Sequence, residues 1–326
     1  MPAVRPCCAT ALSLLLLSAV AAQPAHSQSY PTKAVKLVTQ GAAGSGPDVI
    51  ARLVTDQLSR MWGQQVVILN HPGAGGSAAA RVAAQGAPDG YNLYMAAISS
   101  FIVMPEMFPN LPVDLDRDFV RIGLMGEQPM VFAVSPTLGV NSLAELVALS
   151  KAKPGHILYA ANSRGTFPNL TVERFKKETG ANFTFIPYAG AAAGLQDLMG
   201  GRISMIAESI GPLLGAIASN AVKVLAVASP KRLPNFPDIP LMSDVAPGFS
   251  AMGWFALMSP VGTPDAIVQK INADLNAVLA MPEIKQRFQD VGTYPRPMSP
   301  AETTSFIRAE QAVWRPVVRQ VGVAAQ

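Results

Sequence analysis

The stretch LVTQGAAGSGPD at residues 37–48 decides the fold. Residues 36–39 are predicted to form a short apolar strand, and residues 41–46 a loop of small residues. Pro47 stands where the first residue of a helix is favoured. Beyond it, apolar residues recur at helical spacing as far as Gly63, which is typical of a helix end. The sequence therefore predicts a strand, a glycine-rich turn and a helix start in direct succession.

This arrangement predicts an anion-binding site. A helix start leaves several backbone N–H groups without partners and pointing in one direction. The helix dipole adds about half a positive charge at the same end. The loop lacks the lysine of the G-x-x-x-x-G-K-[ST] pattern, which argues against nucleoside triphosphates. A carboxylate is therefore the predicted ligand group.

The N-terminus has the pattern of a signal peptide. Arg5 supplies a short positive region, and ALSLLLLSAVAA at residues 11–22 has the length of a signal-peptide core. We predict that residues 1–27 are a signal peptide, with cleavage between about 22 and 29. Cys7 and Cys8 precede the apolar core, whereas a lipid-bearing cysteine should follow it. The mature protein is therefore expected to be exported and to have no membrane anchor.

Composition excludes several classes of function. Half of the residues are hydrophobic and only 14% are charged, so the chain can bury a large core. Both cysteines lie in the predicted leader, which excludes disulfides, thiolate zinc sites and a cysteine nucleophile in the mature chain. The formal net charge of +4 has no basic run behind it, so nucleic acid is not an expected partner. No histidines and carboxylates have metal-ligand spacing, and no cofactor is expected.

Two series of strands and helices follow the leader. The first covers residues 36–97 in the order strand–helix–strand–helix–strand, and the second covers residues 142–228. Such alternation favours parallel sheets covered by helices. The segments FAVSP at 132–136 and LAVASP at 225–230 are similar. We interpret them as the outgoing and returning crossings between two lobes.

The crossings predict the division of the chain. Residues 30–127 and 231–326 are expected to form lobe 1, and residues 128–230 lobe 2. In this α/β arrangement the strand–loop–helix units at 36–60 and 157–178 face each other across a cleft. A charged ligand would then be held between two helix N-termini.

Several longer motifs occur in a fixed order along the mature chain. They are YPTKAVKLV from Tyr30, GSGPDVIARL from Gly44, NHPGAGGSAAA from Asn70, APDGYNL from Ala87, PYAGAAAGLQDLMGGRISMI from Pro187, ESIGPLL from Glu208, LAVASPKRLPNFPDIPLMSD from Leu225 and GWFALMSPVGTP from Gly253. Their order and spacing resemble the periplasmic substrate-binding proteins of tripartite tricarboxylate transporters, the Bug or TctC family.

The resemblance implies a fold and a function. The fold would be the two-lobe, type II periplasmic-binding-protein-like α/β fold, with a ligand cleft between the lobes. The function would be capture of a small organic carboxylate in the periplasm and its delivery to membrane permease subunits. No cofactor is implied, and the protein is expected to be a monomer.

The resemblance also implies site residues. In lobe 1, the loop before the first helix would hold a carboxylate through backbone N–H groups and water, and a serine would follow the third strand. In lobe 2, the loop before the facing helix, an aromatic with a nearby glycine, and an acid at a strand end would complete the pocket. The implied ligand-binding residues are Ala43, Gly44, Ser45, Gly46, Asp48, Ser100, Asn162, Ser163, Arg164, Thr166, Asn169, Tyr188, Gly190 and Glu208.

The chain departs from the family pattern at several of these places. Gln40 replaces the more usual aromatic before the first loop, Asn169 replaces a frequent histidine and Ala189 a frequent lysine. The second loop carries Arg164 and Phe167 where small polar residues are usual. The best-known ligands of the family therefore do not transfer directly to this chain.

An exported α/β enzyme, hydrolase-like and acting on a small organic acid or ester, is the alternative. Residues 73–78 fit G-x-G-x-x-A, but they follow the second strand and have no acidic residue about twenty positions on, so close helix–sheet packing is favoured over dinucleotide binding. Ser45 lacks a full nucleophile elbow because Ala43 occupies the first glycine position. Only His71 and His156 remain as bases in the mature chain. A binding protein is therefore the preferred interpretation.

Two charged residues of lobe 2 leave alternatives open. Arg164 is either a solvated loop residue or a two-pronged clamp for a carboxylate. Glu208 could hold the Arg164 guanidinium, in which case a plain carboxylate binds, or could receive the ammonium of a zwitterion. The pair is the preferred hypothesis, since an unpaired charge in a closed cleft costs several kcal/mol.

Overall fold

The computed structural model describes residues 30–322, so the predicted signal peptide lies outside the described residues. The strands are β1 Val35–Thr39, β2 Val66–Asn70, β3 Asn92–Ala97, β4 Phe119–Val134, β5 Ile157–Ala161, β6 Phe183–Pro187, β7 Met205–Ser209, β8 Lys223–Val227, β9 Met252–Pro260 and β10 Tyr294–Pro295. The helices are α1 Gly46–Trp62, α2 Ser77–Ala84, α3 Ile98–Ile102, α4 Met104–Met107, α5 Leu115–Asp118, α6 Leu143–Ala152, α7 Phe167–Thr179, α8 Ala191–Met199, α9 Leu214–Ala218, α10 Asp265–Ala280, α11 Pro282–Gln289 and α12 Pro300–Val321.

The strands form one path in the order β2-β1-β3-β9-β4-β7-β5-β6, with β8 and β10 paired to β4. Strands β1, β2 and β3 are parallel, and so are β5, β6 and β7. Strands β4 and β9 are antiparallel to each other and to their other neighbours on the path. Each lobe therefore contains the parallel strand–helix unit that the sequence predicts, and the α/β class is confirmed.

The long strand β4 belongs to both lobes. Its first part pairs with β9, and its end from Met130 pairs with β7 and β8. FAVSP lies at this end, as the outgoing crossing requires. The interpretation of LAVASP as the returning crossing was wrong: Val227 on β8 pairs with Val131, so β8 lies inside the second sheet. The chain re-enters the first sheet at β9, where the Ala251 carbonyl accepts from Met130 N–H.

The segment between β8 and β9 packs with lobe 2. The Val227 N–H donates to the carbonyl of Pro240, and Leu233 lies in one apolar cluster with residues of β7 and β8. Phe249 packs edge-on against Phe175 of α7, with ring centroids 5.4 Å apart. Because these contacts are to lobe 2, we propose that this lobe continues to about residue 251 rather than ending at 230.

The two lobes share one apolar core. A single cluster of buried residues includes Tyr94 from lobe 1 and Phe132 from lobe 2. Helix α12, which the sequence assigns to lobe 1, also contacts α7, where Trp314 packs against Phe167 with ring centroids 4.8 Å apart. The cleft is therefore closed at its base by packed side chains.

None of the helices between residues 30 and 322 is both long enough and apolar enough to cross a bilayer.

Candidate functional site

A cavity of about 490 Å³ lies between the lobes, within the size range of small-molecule sites. Lobe 1 contributes Pro47 at the start of α1, residues at the start of α3 and residues of β9. Lobe 2 contributes the β5–α7 loop and the end of β7. Strand β4 forms the base with Gln128 and Met130. The two loops that the sequence predicts to face each other thus lead into one cavity.

The β1–α1 loop is held by a buried carboxylate. Asp48 is 1% exposed and accepts from the Gly44 N–H at 2.9 Å and from Asn70 Nδ2 at 2.9 Å. Arg52, one turn further along α1, donates to both carboxylate oxygens, at 2.8 and 3.1 Å. Burial alone would raise the pKa of Asp48, but the hydrogen bonds from Arg52, Asn70 and Gly44 outweigh it and lower the pKa to about 2. Asp48 therefore fixes the loop as an ionised group.

The β5–α7 loop is held by a buried amide at the equivalent position. Asn169 is 1% exposed, and its Oδ1 accepts from the Gly165 N–H at 2.9 Å. Its Nδ2 donates to the Tyr159 hydroxyl at 2.8 Å, which in turn donates to Glu173 at 2.8 Å. Asn169 therefore does for the second loop what Asp48 does for the first.

The backbone of the two loops is also alike. Gly44 and Gly165 have φ values of 78° and 81°, a conformation that strongly favours glycine. Ser45 and Thr166 follow as extended N-cap residues whose side chains make no capping hydrogen bond. Each helix also has a proline in its first turn, Pro47 in α1 and Pro168 in α7, and both prolines line the cavity.

The start of each helix leaves backbone donors for a ligand. Among the described residues, the N–H groups of Gly46 and Asp48 in α1 and of Phe167 and Asn169 in α7 have no backbone acceptor. The first intrahelical bonds begin at Val49 and Leu170. Two positive helix ends therefore open towards the same space.

Arg164 and Glu208 are the charged residues of the cavity wall, as far as the described residues show. No ion pair within 4.0 Å joins them, so the preferred hypothesis of an Arg164–Glu208 pair was wrong for this structure. The Arg164 guanidinium is exposed and lies 5.7 Å from the centroid of the Phe185 ring. Glu208 accepts from the N–H and the hydroxyl of Ser209, at 2.8 and 3.2 Å. The two charges stand apart.

Five of the predicted site residues line the cavity: Asn162, Ser163, Arg164, Thr166 and Glu208. Four others of the prediction lie beside Pro47 but outside the wall: Ala43, Gly44 and Ser45 in the β1–α1 loop, and Gly46 as the first residue of α1. Their contact with a ligand stays a prediction.

The side chains of Asp48 and Asn169 are buried and engaged in the loop hydrogen bonds, so only their backbone N–H groups are left for a ligand, and that contact stays a prediction. Ser100 also lies outside the wall: it is fully buried, donates to Gln40 at 2.5 Å and lines a separate cavity of about 340 Å³. The neighbouring Ser99 lines the cavity instead, and its hydroxyl accepts a hydrogen bond from Gln40 Nε2 at 3.2 Å.

Tyr188 and Gly190, which the sequence predicts to line the pocket, lie outside its wall. The Tyr188 hydroxyl donates to Asp197 at 2.7 Å, and burial together with this carboxylate raises the tyrosine pKa to about 12. Gly190 is the N-cap of α8. Both therefore serve the α8 surface of lobe 2 in this structure.

The sequence analysis missed the apolar part of the wall. Val103, Met107, Trp254 and Phe255 line the cavity. The Trp254 indole N–H donates to Glu310 at 3.1 Å, which fixes the ring against the cavity. The GWF segment at residues 253–255 was a usable indication, because it lies within one of the motifs that carry the family resemblance.

Comparison with known proteins identifies the family. The model of the tripartite tricarboxylate transporter family receptor matches residues 50–323. BugT of Bordetella pertussis is 32% identical over 313 residues, which cover 95% of this chain and 96% of BugT. The chain belongs to the tripartite tricarboxylate transporter receptor family. A family of transporter receptors binds solutes, so the alternative of an exported enzyme is not supported.

Solved structures agree with this TctC-type receptor fold. Protein Rpa4515 of R. palustris, solved with adipate, superposes with a TM-score of 0.79 at 28% identity and covers 91% of this chain and 100% of that protein. MatC of Rhodopseudomonas palustris, with bound malate, has a TM-score of 0.74 at 28% identity, covering 89% and 100%. The periplasmic binding protein BugD has a TM-score of 0.74 at 28% identity, covering 91% and 100%.

Proposed function

We propose that this receptor works in the periplasm, where it captures a small carboxylate-bearing molecule between its lobes and delivers it to the permease subunits of a tripartite tricarboxylate transporter. The observation that supports this most directly is that the starts of α1 and α7 lead into one cavity. Pro47 stands in the wall on one side, and Thr166 to Pro168 on the other. Two helix ends with free N–H groups favour an anionic ligand group.

The named relatives support the same ligand class. Rpa4515 was solved with adipate and MatC with malate, and both of these molecules are carboxylates. The cavity of about 490 Å³ is large enough for a small organic acid. Among the described residues no group of three potential ligands could hold a metal ion.

A panel of organic acids tests the carboxylate. The mature protein is incubated with each acid and, as a matched control, with the amide or methyl ester of the same acid, and its melting temperature is measured. A carboxylate at a hundred times its dissociation constant should add about 2.7 kcal/mol to the free energy of unfolding. Equal shifts from acid and amide, or no shift from any acid, would contradict the proposal.

Three further measurements address the alternative function, the oligomeric state and the partner. Chemical analysis of the mixtures should recover the bound acid intact, whereas a product would return the enzyme hypothesis. Size-exclusion chromatography with light scattering should give the mass of a monomer. Reconstitution with candidate permease subunits should give uptake that depends on the receptor, and uptake without the receptor would exclude a delivery role.

A further inference from the structure

Glu208 places a carboxylate in the cavity wall, and no lysine, arginine or histidine between residues 30 and 322 forms an ion pair with it. The residue is 7% exposed, and both of its hydrogen bonds come from Ser209, which also lines the cavity. Both of these bonds go to the same oxygen, Oε1. The described residues supply no hydrogen-bond donor to Oε2. The side chain is largely withdrawn from water while Oε2 is left for a donor, and an ammonium group of the ligand can supply one.

Positive potential lies elsewhere on the same wall. Arg164 belongs to the β5–α7 loop, and the N–H groups at the start of α7 follow it directly. No ion pair joins Arg164 to Glu208. The cavity therefore presents a site for an anion and a separate site for a cation, both within lobe 2.

The remaining wall is mostly apolar. Met107 and Val103 from lobe 1, Trp254 and Phe255 from β9, and Phe167 from α7 surround the space beside the charged groups. If a ligand were charged along its whole length, some of its charged groups would contact these apolar side chains. Those groups would lose their water without gaining a partner, which is unfavourable. The wall fits a ligand whose charges are confined to one end.

We infer that the ligand is a zwitterion with an apolar body, such as an amino acid with an apolar or aromatic side chain: its carboxylate faces the helix N-termini and Arg164, its ammonium faces Glu208, and its apolar part faces Met107, a partly exposed apolar side chain of the wall. This inference rests on the proposed function and narrows its substrate class. A diacid of the adipate or malate type would place a second carboxylate in a cavity that already contains a buried glutamate.

The electrostatics of Glu208 agree with this geometry. Burial raises the pKa of the Glu208 carboxyl, and the two hydrogen bonds from Ser209 offset only part of the rise. An ammonium group against the carboxylate favours its ionised form and removes the cost of the isolated charge.

Isothermal titration of three matched ligand sets tests the inference. Phenylalanine is compared with phenylpropanoate, which lacks the amine, and with phenethylamine, which lacks the carboxylate; leucine is compared in the same way with isocaproate and isoamylamine. Adipate and malate form the third set. The zwitterions should bind about tenfold or more tightly than their amine-free analogues, because a charge-assisted hydrogen bond to Glu208 is present only with the ammonium.

Glu208→Gln isolates the residue. The substitution keeps the shape of the side chain and should reduce the preference for the zwitterion over its amine-free analogue to near one. Glu145→Gln is the matched control, because Glu145 is an exposed glutamate of the same lobe at the start of α6 and lies outside the cavity wall. It should keep the preference of the parent protein. Thermal melting of both variants confirms that they fold.

The outcomes separate this inference from the proposed function. If adipate or malate binds and no zwitterion exceeds its amine-free analogue, the inference is overturned and the proposed function stands. The inference is overturned in the same way if Glu208→Gln keeps the full preference for zwitterions. If no member of the three sets binds while the wider acid panel also gives no shift in melting temperature, the proposed function itself fails.

Discussion

The β1–α1 loop and the β5–α7 loop reach the cavity with the same backbone, yet different chemistry stabilises them. Both place a left-handed glycine before an extended cap residue, and both close with a buried side chain four residues after that glycine. In the first loop this side chain is the carboxylate of Asp48, bound to Arg52. In the second it is the neutral amide of Asn169, bound to Tyr159. The same loop conformation thus has an ionic and a neutral form in one molecule.

The loops differ as well in what they place at the helix start. A methyl group added to Gly46 would have no heavy atom within 4 Å, so lobe 1 leaves space there. The equivalent residue of lobe 2 is Phe167, which is buried against Trp314 of α12. Lobe 1 therefore leaves space beside the N–H groups at the start of α1, whereas lobe 2 places a buried ring at the start of α7.

Removal of this buried ring should have the largest effect. Phe167→Ala deletes a buried ring from the contact between α7 and α12, and we expect it to lower the free energy of unfolding by about 3 kcal/mol. Urea unfolding measures this loss. Val313→Ala on the exposed side of α12 is the control and should change stability little. A loss below about 1 kcal/mol would show that Phe167 is not an anchor of the second loop.

The stability that Asp48 gives to the first loop should depend on pH. Asp48→Asn is expected to lower the free energy of unfolding by about 1.5 kcal/mol at pH 7, because the amide loses the charge-assisted hydrogen bonds of the ionised carboxylate. The loss is limited because solvent screens the exposed Arg52. The pKa is lowered in the folded state, so this contribution is present above the ordinary value of 3.8 and is lost as the pH falls towards about 2. Urea titrations from pH 7 to pH 3 should show that the difference in free energy of unfolding between parent and variant narrows below about pH 4. A difference that stays constant would refute the assignment.

Filling the open helix start should affect binding rather than folding. Gly46→Val places a branched side chain beside the free N–H groups of α1, and we expect it to weaken carboxylate binding about tenfold with little change in melting temperature. Gly215→Val is the control, because Gly215 also has no heavy atom near an added methyl and lies in α9, outside the cavity wall. Unchanged affinity in a folded Gly46→Val protein would move the anion site away from the first loop.

Replacing the neutral amide of the second loop with a carboxylate should slightly lower the stability of the protein. Asn169→Asp removes the donor to the Tyr159 hydroxyl, whose proton already goes to Glu173. We expect the free energy of unfolding to fall by about 1 kcal/mol at pH 7, because the new carboxylate oxygen would face the Tyr159 oxygen with no proton between them. The loss should shrink in acid, where the new carboxyl regains a proton to donate. Asn182 is the exposed control, because its side-chain Oδ1 accepts from the Gly155 N–H and an aspartate can do the same. Asn182→Asp should leave the free energy of unfolding unchanged, and equal effects at both positions would contradict the role of Tyr159.

The units that organise the site could be predicted because their information is local. The strand, loop and helix at residues 36–63 needed only apolar spacing, Pro47 and Gly63, and the observed bounds of β1 and α1 agree with them to within about one residue. The equivalence of the two loops follows from a glycine and a proline at matching places. Such features act through the backbone within a few residues.

The remaining features depend on partners far away in the chain. Ser99 and not Ser100 faces the cavity because the packing of the short helix α3 sets its rotation, and no spacing in the sequence reveals that angle. The proposed assignment of the segment at 231–251 to lobe 2 rests on its contacts with β8, which follow from the fold and not from local propensity. The separation of Arg164 from Glu208 likewise depends on how two strand ends are positioned.

Strand β4 has a consequence for how the protein unfolds. Its sixteen residues pair with β9 in one sheet and with β7 and β8 in the other, so neither sheet can lose this strand without exposing the edge of its neighbour. Loss of native structure in one half therefore removes a hydrogen-bonding partner from the other half, and the apolar core that includes Phe132 and Trp254 is opened at the same time. The two halves of the receptor are in this way thermodynamically coupled, and heating should melt them in one calorimetric transition, even though each half carries a helix N-terminus of the binding site.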